Sequence, residues 1–509
     1  MYLGIDLGTT NVKALLVDDG GAVVASGAVP IDCMHSPGGA AEQDIEQIWQ
    51  ATCEAIRQTL RSPGILFPPN PTGSTAETAV RHMGRMPMLR AGETPAIAAV
   101  GVSSQGGAIQ FLDGRDRPLG RVISWLDARG RPFDQEFTRR LGEEFFRRHL
   151  GHGSSGVSDG QVLRLRGTEP QLLAPPNRLA FVGDVIVGRL CGRRAHDASS
   201  LSIAMFYNPW LDAADPDTLG HLGLDASQLP DLLPPTAVAG RLSDEAAAAT
   251  GLPAGIPVSP AVHDQYAAAL GAGAVRAGDL CLGTGTAWVL LALSDKLAEP
   301  VTPGAYVCRH VVDGLYGQLL SMGGNGGSSI QWAFSLLGRG KPGAGDVDAL
   351  ASSAPAGSDG LRFWPLLASG PATGELAGKG GRLGGVAFAH GPAHLLRAVI
   401  EGLSCELARH LRMLEAGGVA VERLLVSGGA AASAITPQTL ADVTGKPVHC
   451  VTQEAVSAFG AAILARAMLE GGPAGLARRL APGGKTVSPG VDAPLYREVL
   501  SEYMEPFGQ

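Results

Sequence analysis

Two short glycine-containing turns carry hydroxyl side chains in an arrangement that suits phosphate binding. The first, GTTNVK over residues 8–13, follows shortly after Asp6, and the second is GTGT over residues 283–286. Glycine lets the backbone approach a phosphate closely, successive backbone amides form an anion-binding concavity, and threonine hydroxyls add donors. Asp6 can hold Mg²⁺ directly or through water, and Lys13 can neutralise phosphate charge. Either turn alone is also compatible with a plain hairpin, whereas one turn from each half of the chain would clamp a polyphosphate.

Two further motifs extend this chemistry. Residues 427–430 read SGGA after an apolar strand, and the glycines would let an adenine or a ribose lie against the backbone. A simple joint between strand and helix is the alternative. Asp264 lies at the carboxyl end of a strand and the start of a helix, where α/β proteins bind ligands and where a carboxylate can accept a proton from a substrate hydroxyl. Its alternative role is a helix N-cap, which isolated sequence grounds favour.

The elements that would position these residues occur twice along the chain. Apolar runs and turn residues predict strands over 2–6, 12–17, 22–29, 97–102, 108–112, 256–262, 279–282 and 287–293, and helices over 45–60 and 266–271. The first strand–turn–strand unit resembles the one at 279–293, and the strand with its glycine loop at 96–107 resembles the one at 423–431. Two such echoes in the same order predict two similar α/β domains that face each other across a cleft.

The joint near residues 251–253 places the boundary between these domains. We therefore expect an N-terminal domain over 1–250, a C-terminal domain over 251–475 and a tail over 476–509. The proline-rich segment 62–95 has little periodicity and predicts a surface insertion or loose loop.

Composition excludes several classes of protein. The 509 residues are 45% hydrophobic and 17% charged, which provides enough apolar material for folded cores. A net charge of -8 makes a nucleic-acid partner a poor expectation. The apolar runs are far shorter than the ~20 residues of a membrane span, and the N-terminus lacks the pattern of a secretory signal, so we expect no membrane partner. Seven dispersed cysteines without a CxxC pair argue against a disulfide framework or a zinc site, and a cytoplasmic location is the simplest expectation.

The motifs together resemble a known family. Five motifs follow one another along the chain: GIDLGTTNVK, HDQYAAALGAG, LCLGTGT, NGGSSIQW and VSGGAAAS. This series of motifs resembles that of the FGGY carbohydrate kinases, and the resemblance covers roughly residues 1 to 470. Among relatives, the similarity is greatest to xylulokinase-like members, with features also seen in glycerol kinases. The resemblance implies an α/β fold of two duplicated actin-like (ribonuclease H-like) ATPase domains facing a central cleft. It also implies ATP and Mg²⁺ as cofactors and a small-molecule sugar or polyol as substrate, and it leaves a homodimer open.

The resemblance also implies a role for individual residues. Asp264 would be the catalytic base, and Asp6 would help to position Mg²⁺. The substrate-binding residues would be Gln105, Gly106, Gly107, Trp125, Asp127 and Gln265. The nucleotide-binding residues would be Thr9, Thr10, Asn11 and Lys13 in the first turn, Gly283, Thr284 and Gly285 in the second, Gly327 and Gln331 in GGSSIQW, and Gly429 and Ser433 in the adenosine motif.

Two departures from the family pattern concern the substrate. Gln105 is followed by Gly106 and Gly107, where xylulokinases have Met-His and glycerol kinases have Arg-Glu, so the pocket is larger or another segment fills it. Gln265 matches glycerol kinases, whereas xylulokinases tend to have Asn. These departures concern the acceptor and not the reaction. The resemblance implies ATP-dependent phosphorylation of a terminal hydroxyl of a ketose, with a pentulose such as D-xylulose as first choice. The alternatives are a kinase for ribulose, gluconate, erythritol or glycerol, or a non-catalytic actin-like nucleotide switch.

Overall fold

The computed structural model describes residues 1–61, 96–340, 342, 345–367 and 380–507. The predicted insertion over 62–95 lies outside these ranges. Within them, no helix combines the length and the apolarity that crossing a bilayer would require.

The strands are β1 (Tyr2–Leu7), β2 (Asn11–Val17), β3 (Val23–Pro30), β4 (Met34–Ser36), β5 (Ala40–Gln43), β6 (Ala99–Ser104), β7 (Ile109–Leu112), β8 (Val122–Ile123), β9 (Arg178–Phe181), β10 (Ala195–His196), β11 (Tyr207–Asn208), β12 (Ala213–Ala214), β13 (Asp231–Leu232), β14 (Gly240–Arg241), β15 (Pro257–His263), β16 (Asp279–Thr284), β17 (Trp288–Ser294), β18 (Tyr306–Arg309), β19 (Tyr316–Ser321), β20 (Arg362–Trp364), β21 (Arg382–Gly384), β22 (Arg423–Gly428), β23 (Val448–Val451) and β24 (Thr486–Val487).

The α-helices are α1 (Ile45–Arg61), α2 (Arg131–Leu141), α3 (Glu143–Leu150), α4 (Asp159–Thr168), α5 (Val182–Cys191), α6 (Ala198–Ile203), α7 (Pro216–Leu222), α8 (Asp244–Thr250), α9 (Asp264–Gly271), α10 (Gly327–Leu336), α11 (Asp346–Ala351), α12 (Pro392–Ala416), α13 (Gly429–Ala432), α14 (Thr436–Thr444), α15 (Val456–Glu470), α16 (Pro473–Leu480) and α17 (Ala493–Met504).

Two sheets share one topology. In the first, the strand order β3-β2-β1-β6-β15 places β2 antiparallel to both β1 and β3, and β6 and β15 run parallel to β1. In the second, the order β19-β17-β16-β22-β23 has the same directions at each position. Both echoes predicted from the sequence are therefore structural, because β1–β2 corresponds to β16–β17 and β6 corresponds to β22.

Two packed helices, α9 and α15, join the two halves. Helix α15 follows β23 of the second sheet in the chain, yet it packs on β1, β6 and α9, which belong to the first half. The helices approach closely at Gly460, where a Cβ would lie 1.8 Å from the carbonyl oxygen of Ala267. This close approach requires glycine at position 460.

The sheets also bear on the predicted domain limits. Strand β15 lies beyond residue 250 and still pairs with β6 of the first sheet, so we propose a boundary between α9 and β16. The segment predicted as a tail belongs to the second half, because β24 pairs with β23 and α17 packs on α12 and α14.

A smaller sheet lies beside the first one. Its strand order is β4-β5-β8-β7-β9. Its strands β5 and β8 lead into segments that reach the candidate site, which brings Gln43 and Trp125 toward the first glycine turn.

Candidate active site

The carboxyl ends of three parallel strands meet at one edge of the first sheet. Leu7 of β1 lies in register with Ser104 of β6, which in turn lies in register with His263 of β15. The residues that follow these strands therefore come together at this edge, which is where α/β sheets bind ligands. They include Gln105 and Asp264.

Asp264 is the first residue of α9, and His263 occupies the N-cap position. The predicted N-cap alternative for Asp264 is therefore wrong. Its side chain is about a quarter exposed, and Gln265 Nε2 donates to its Oδ1 at 3.1 Å. Burial raises the pKa of Asp264 to about 6, while the hydrogen bonds from Gln265 act in the opposite direction. A carboxylate with a pKa this close to neutral is ionised at physiological pH and is a stronger base than an ordinary aspartate.

Asp6, the second-last residue of strand β1, is buried near Asp264. Burial and the negative charge of Asp264 raise the pKa of Asp6 to about 7, and only a hydrogen bond from Ser103 and the charge of Lys13 oppose this rise. Ser103 Oγ donates to Asp6 Oδ1 at 2.9 Å. Two carboxylates thus repel each other in the cleft, which is an arrangement that a divalent cation would relieve.

The donor set also fits magnesium rather than a metal caged by protein side chains. In the parts of the chain that the structure describes, no group of three or more His, Cys, Asp or Glu side chains could hold a metal ion. Mg²⁺ typically uses one or two carboxylates and completes its coordination with water and substrate phosphates. Asp6 matches that pattern as a single carboxylate ligand.

The first glycine turn is tied to Gln105 through Thr9. Thr9 Oγ1 donates to Gln105 Oε1 at 3.1 Å and accepts a hydrogen bond from Trp125 Nε1 at 3.0 Å. Gln105 Nε2 in turn donates to Gln43 Oε1 at 3.0 Å, and Gln43 Nε2 donates to the carbonyl oxygen of Thr9 at 2.9 Å. The hydroxyl proton of Thr9 is therefore not available to a phosphate in this arrangement. Gln43, fully buried in this network, has no motif that would have revealed it from the sequence.

The remaining predicted residues of the first turn differ in exposure. Thr10 is exposed and accepts a hydrogen bond from Asn11 Nδ2 at 3.1 Å, so its own hydroxyl proton can point to a ligand. Lys13 on β2 lies in register with Asp6 on β1, and the positive charge of Lys13 acts to lower the pKa of the Asp6 carboxyl group. The assignment of these three residues to the nucleotide stays a prediction.

Asp127, predicted to bind substrate, is saturated by protein hydrogen bonds. Its side chain is fully buried. It accepts bonds from the backbone N of Ala41 at 2.9 Å, from Gln161 Nε2 at 3.0 Å and from the Arg129 guanidinium. Burial acts to raise the pKa of Asp127, yet these hydrogen bonds bring it below its ordinary value. Direct contact with a substrate would cost some of these bonds, so Asp127 orders the loop that carries Trp125, which is itself about half exposed.

Side chains from other segments fill the space beside Gly106 and Gly107, the glycine pair after Gln105. A Cβ at Gly106 would lie 2.2 Å from Ile203 Cγ2 and 2.6 Å from His263 Cδ2. Gly107 has φ +73°, and a Cβ there would lie 2.1 Å from Val157 Cγ1. Of the two possibilities left open by the sequence, the second is correct: other segments fill the space.

The second glycine turn is linked to the adenosine motif. Thr284 Oγ1 donates to the carbonyl oxygen of Ser427 at 2.5 Å and accepts from the backbone N of Ala430 at 3.0 Å. The expectation that this hydroxyl donates to phosphate is therefore not met in this structure, because its one proton is already used. Gly285 is exposed, and its carbonyl oxygen accepts from the backbone N of Gly327 at 3.1 Å, which places the start of α10 against the turn.

Other predicted nucleotide residues lie further along the second half. Gly429 begins α13 immediately after β22. Ser433 Oγ donates to Asp348 Oδ1 at 2.6 Å, and Gln331 is exposed on α10. Among the residues that the structure describes, no hydrogen bond or ion pair joins Ser433 or Gln331 to the first half.

Gln265 connects the base to the second turn. A Cβ at Gly283 would lie 3.4 Å from Gln265 Oε1, so the residue next to Asp264 lies against the start of that turn. One cleft therefore combines the Asp264 carboxylate, the buried Asp6 carboxylate and two glycine turns with exposed polar groups. This combination can bind a polyphosphate and accept a proton from a nearby hydroxyl.

Comparisons with known proteins agree with this geometry. Xylulose kinase from Escherichia coli (strain K12) is 28% identical over 474 residues, covering 92% of this chain and 90% of that protein. L-xylulose/3-keto-L-gulonate kinase from the same strain is 28% identical over 485 residues, covering 91% and 87%. The crystal structure of xylulose kinase from Rhodospirillum rubrum superposes with a TM-score of 0.83 at 26% identity, covering 100% of this chain and 98% of that one.

Family models cover most of the sequence. The model for the N-terminal domain of the FGGY family of carbohydrate kinases matches residues 1–69 and 88–271, and the model for the C-terminal domain matches residues 278–469. The protein therefore belongs to the FGGY family of carbohydrate kinases.

Proposed function

We propose that this kinase transfers the terminal phosphoryl group of ATP to the terminal hydroxyl of a ketose, with a pentulose such as D-xylulose as the acceptor. The observation that carries the proposal is the position of Asp264. This carboxylate has a pKa near 6, lies at the ligand-binding edge of the first sheet beside Asp6, and is joined through Gln265 to the second glycine turn. A non-catalytic nucleotide switch needs no such base.

The chemistry consists mainly of positioning and electrostatic stabilisation. Asp264 accepts the proton of the acceptor hydroxyl as its oxygen attacks the phosphorus in line with the departing ADP. The exposed hydroxyl of Thr10 and the backbone around Gly285 orient the phosphates. Asp6 would hold Mg²⁺, which supplies positive charge to the β- and γ-phosphate oxygens when bound, and Asp264 stays available as the proton acceptor.

The surroundings of the glycine pair favour an uncharged acceptor. The side chains that fill this region are Ile203, Val157 and His263. Burial lowers the pKa of His263 to about 4, so its imidazole is neutral at physiological pH. A sugar acid would need a cation to balance its carboxylate, and these three side chains provide none. This supports a ketose over a sugar acid such as the 3-keto-L-gulonate named for one relative.

A coupled assay of ADP release tests the proposal. The panel contains ketopentoses, polyols and sugar acids at fixed Mg·ATP, and we expect saturable turnover with a ketopentose. Asp264→Asn is the control, because it keeps the size of the side chain and removes the proton acceptor. A wild-type protein whose ADP release does not respond to any acceptor would reject the kinase proposal and favour the nucleotide switch.

A further inference from the structure

The residue before the base forms the wall of the cleft above Gly106. A Cβ at Gly106 would lie 2.6 Å from His263 Cδ2 and 2.8 Å from His263 Nε2, so this edge of the imidazole occupies the volume that a side chain on residue 106 would take. Ile203 from α6 lies on the same volume, 2.2 Å from the same Cβ position. The glycine and the imidazole therefore form one complementary unit across β6 and β15.

His263 is held firmly in this position. Its residue pairs in register with Ser104, and its backbone N donates to Ser199 Oγ at 3.0 Å. Ser199 Oγ in turn donates to Asp197 Oδ1 at 2.7 Å. The side chain is only 7% exposed, so the orientation of the imidazole is set by packing on both sides.

The two ring nitrogens of His263 have different surroundings, and only one of them lies near Asp264. His263 Nε2 lies 3.4 Å from Asp264 Oδ1, whereas Nδ1 is buried without a hydrogen-bond partner among the described residues. A proton on Nδ1 would leave a buried N–H unpaired and would turn a lone pair toward the carboxylate. This geometry favours the tautomer with its proton on Nε2, which lies 3.4 Å from Asp264 Oδ1 and makes no hydrogen bond to it among the described residues.

We propose that His263 is a specificity-determining residue of the acceptor pocket, which discriminates the configuration of the carbon next to the reacting hydroxymethyl group. This inference rests on the proposed function, because it takes Asp264 as the group that contacts the reacting hydroxyl. Since Nε2 lies 3.4 Å from the carboxylate oxygen, the substituent on the adjoining carbon falls within reach of the imidazole. One configuration receives the Nε2–H hydrogen bond, and the other places its hydroxyl against the wall formed with Ile203.

The four 2-ketopentoses provide the test, because they differ only at the two carbons between the carbonyl group and the terminal hydroxymethyl group. The experiment measures kcat/KM for D- and L-xylulose and D- and L-ribulose in the wild-type protein, His263→Ala and His263→Asn. We expect the ratio between the best acceptor and its epimer at the carbon next to the hydroxymethyl group to fall by about 10-fold or more in both variants, which is the low end for losing a pocket contact. The KM for ATP should stay within about twofold of the wild-type value.

His410→Ala is the matched control. His410 is also buried, but it lies on α12 and bonds to the carbonyl oxygen of Glu406, so its loss removes an imidazole without touching the pocket. We expect unchanged acceptor ratios there. Wild-type ratios in folded His263→Ala would overturn the inference, and if that variant does not fold, the same result in His263→Asn would overturn it.

The outcomes separate this inference from the proposed function. A wild-type protein active on ketopentoses with unaltered ratios in the variants would refute the role of His263 alone. A wild-type protein inactive on every acceptor would remove both. If the best acceptor is a different chiral sugar or polyol, the same comparison with its epimer at the carbon next to the reacting group decides the matter. A preference for glycerol, which has no such configuration to discriminate, would overturn the inference.

Discussion

Replacing Asp6 by Asn should make the protein more stable at alkaline pH while abolishing its activity. The carboxyl group of Asp6 has its pKa raised to about 7 by burial and by the negative charge of Asp264. A group whose pKa is higher in the folded state than in the unfolded state stabilises the folded state, and this stabilisation is fully present at a pH below the unfolded pKa. That contribution is lost as the pH rises through the folded pKa. At pH 8, the folded wild-type protein therefore carries an unfavourable buried charge that Asn removes.

The structure sets the size of this effect. Because a difference of one in pKa corresponds to about 1.4 kcal/mol, the rise of the pKa of Asp6 from 3.8 to about 7 corresponds to about 4 kcal/mol in the free energy of unfolding. We expect Asp6→Asn to be more stable than wild type by up to about 4 kcal/mol at pH 8. At pH 5 the gain falls to about 2 kcal/mol, because the folded wild-type protein is then protonated at Asp6. The amide group of Asn adds a donor that needs its own acceptor, so these values are upper limits.

Thermal unfolding in the presence of a chelator at pH 5 and pH 8 measures the effect. Asp127→Asn is the matched control, because Asp127 is also buried but its hydrogen bonds hold its pKa below the ordinary value. That substitution should lower the melting temperature at pH 8, which is the opposite sign. Adding Mg²⁺ at pH 8 should raise the melting temperature of the wild-type protein more than that of Asp6→Asn. A melting temperature of Asp6→Asn that lies below wild type by the same margin at both pH values would refute the electrostatic reasoning.

Three further predictions concern catalysis and the two turns. Asp264→Asn should reduce kcat by ~10²–10⁴-fold, the usual contribution of a general base, with a melting temperature at pH 8 no lower than wild type; near-normal turnover in a folded variant would rule out the base. In the wild-type protein, kcat/KM for the acceptor should fall as the pH falls below about 6, because protonated Asp264 cannot accept a proton; a flat profile between pH 5 and pH 8 would contradict this. Thr10→Val and Thr284→Val should have different effects. Because the hydroxyl of Thr10 is exposed, Thr10→Val should lower kcat/KM for ATP by about 10-fold or more without changing the stability of the protein. The hydroxyl of Thr284 joins Ser427 to Ala430, so Thr284→Val should lower the free energy of unfolding by about 1–3 kcal/mol, measured by denaturant titration. Equal losses of stability in the two variants would contradict this difference.

Much of the fold could be predicted because its signals are local. The strand–turn–strand units of both halves follow from apolar runs broken by glycine turns, and β1, β2, α1, β15 and β17 lie within two residues of their predicted limits at each end. The sheet to which β15 belongs could not be predicted in this way. Its partner β6 lies more than 150 residues earlier in the chain, and no local pattern specifies a parallel pairing over that distance.

In the candidate site, too, the features with a local signal could be predicted and the contacts between distant segments could not. Asp6, Asp264 and the two turns could be found because each has a recognisable neighbourhood in the sequence. The partners of their side chains could not. Thr284 donates to an atom of residue 427, and Thr9 donates to Gln105, so the hydroxyl groups expected to contact phosphate are engaged by distant segments. The sequence gives no local signal for the contact of His263 with Gly106, because the two residues come from separate segments of the chain and the contact depends on the missing side chain at Gly106.

The two cleft carboxylates show why a kinase of this fold tolerates an unfavourable arrangement. A base must be ionised at the working pH, yet an aspartate at its ordinary pKa of 3.8 binds protons weakly. Burial brings the pKa of Asp264 to about 6, which strengthens it as a base while leaving it ionised near neutral pH. Burial, with the negative charge of Asp264 as a second cause, raises the pKa of Asp6 to about 7, so ionised Asp6 destabilises the folded protein. Mg²⁺ held by Asp6 would offset this unfavourable buried charge and would supply positive charge to the phosphates. We therefore expect part of the electrostatic strain of the free protein to become binding energy for the metal–nucleotide complex, which links the stability of Asp6→Asn and the activity of Asp264→Asn to the same pair of carboxylates.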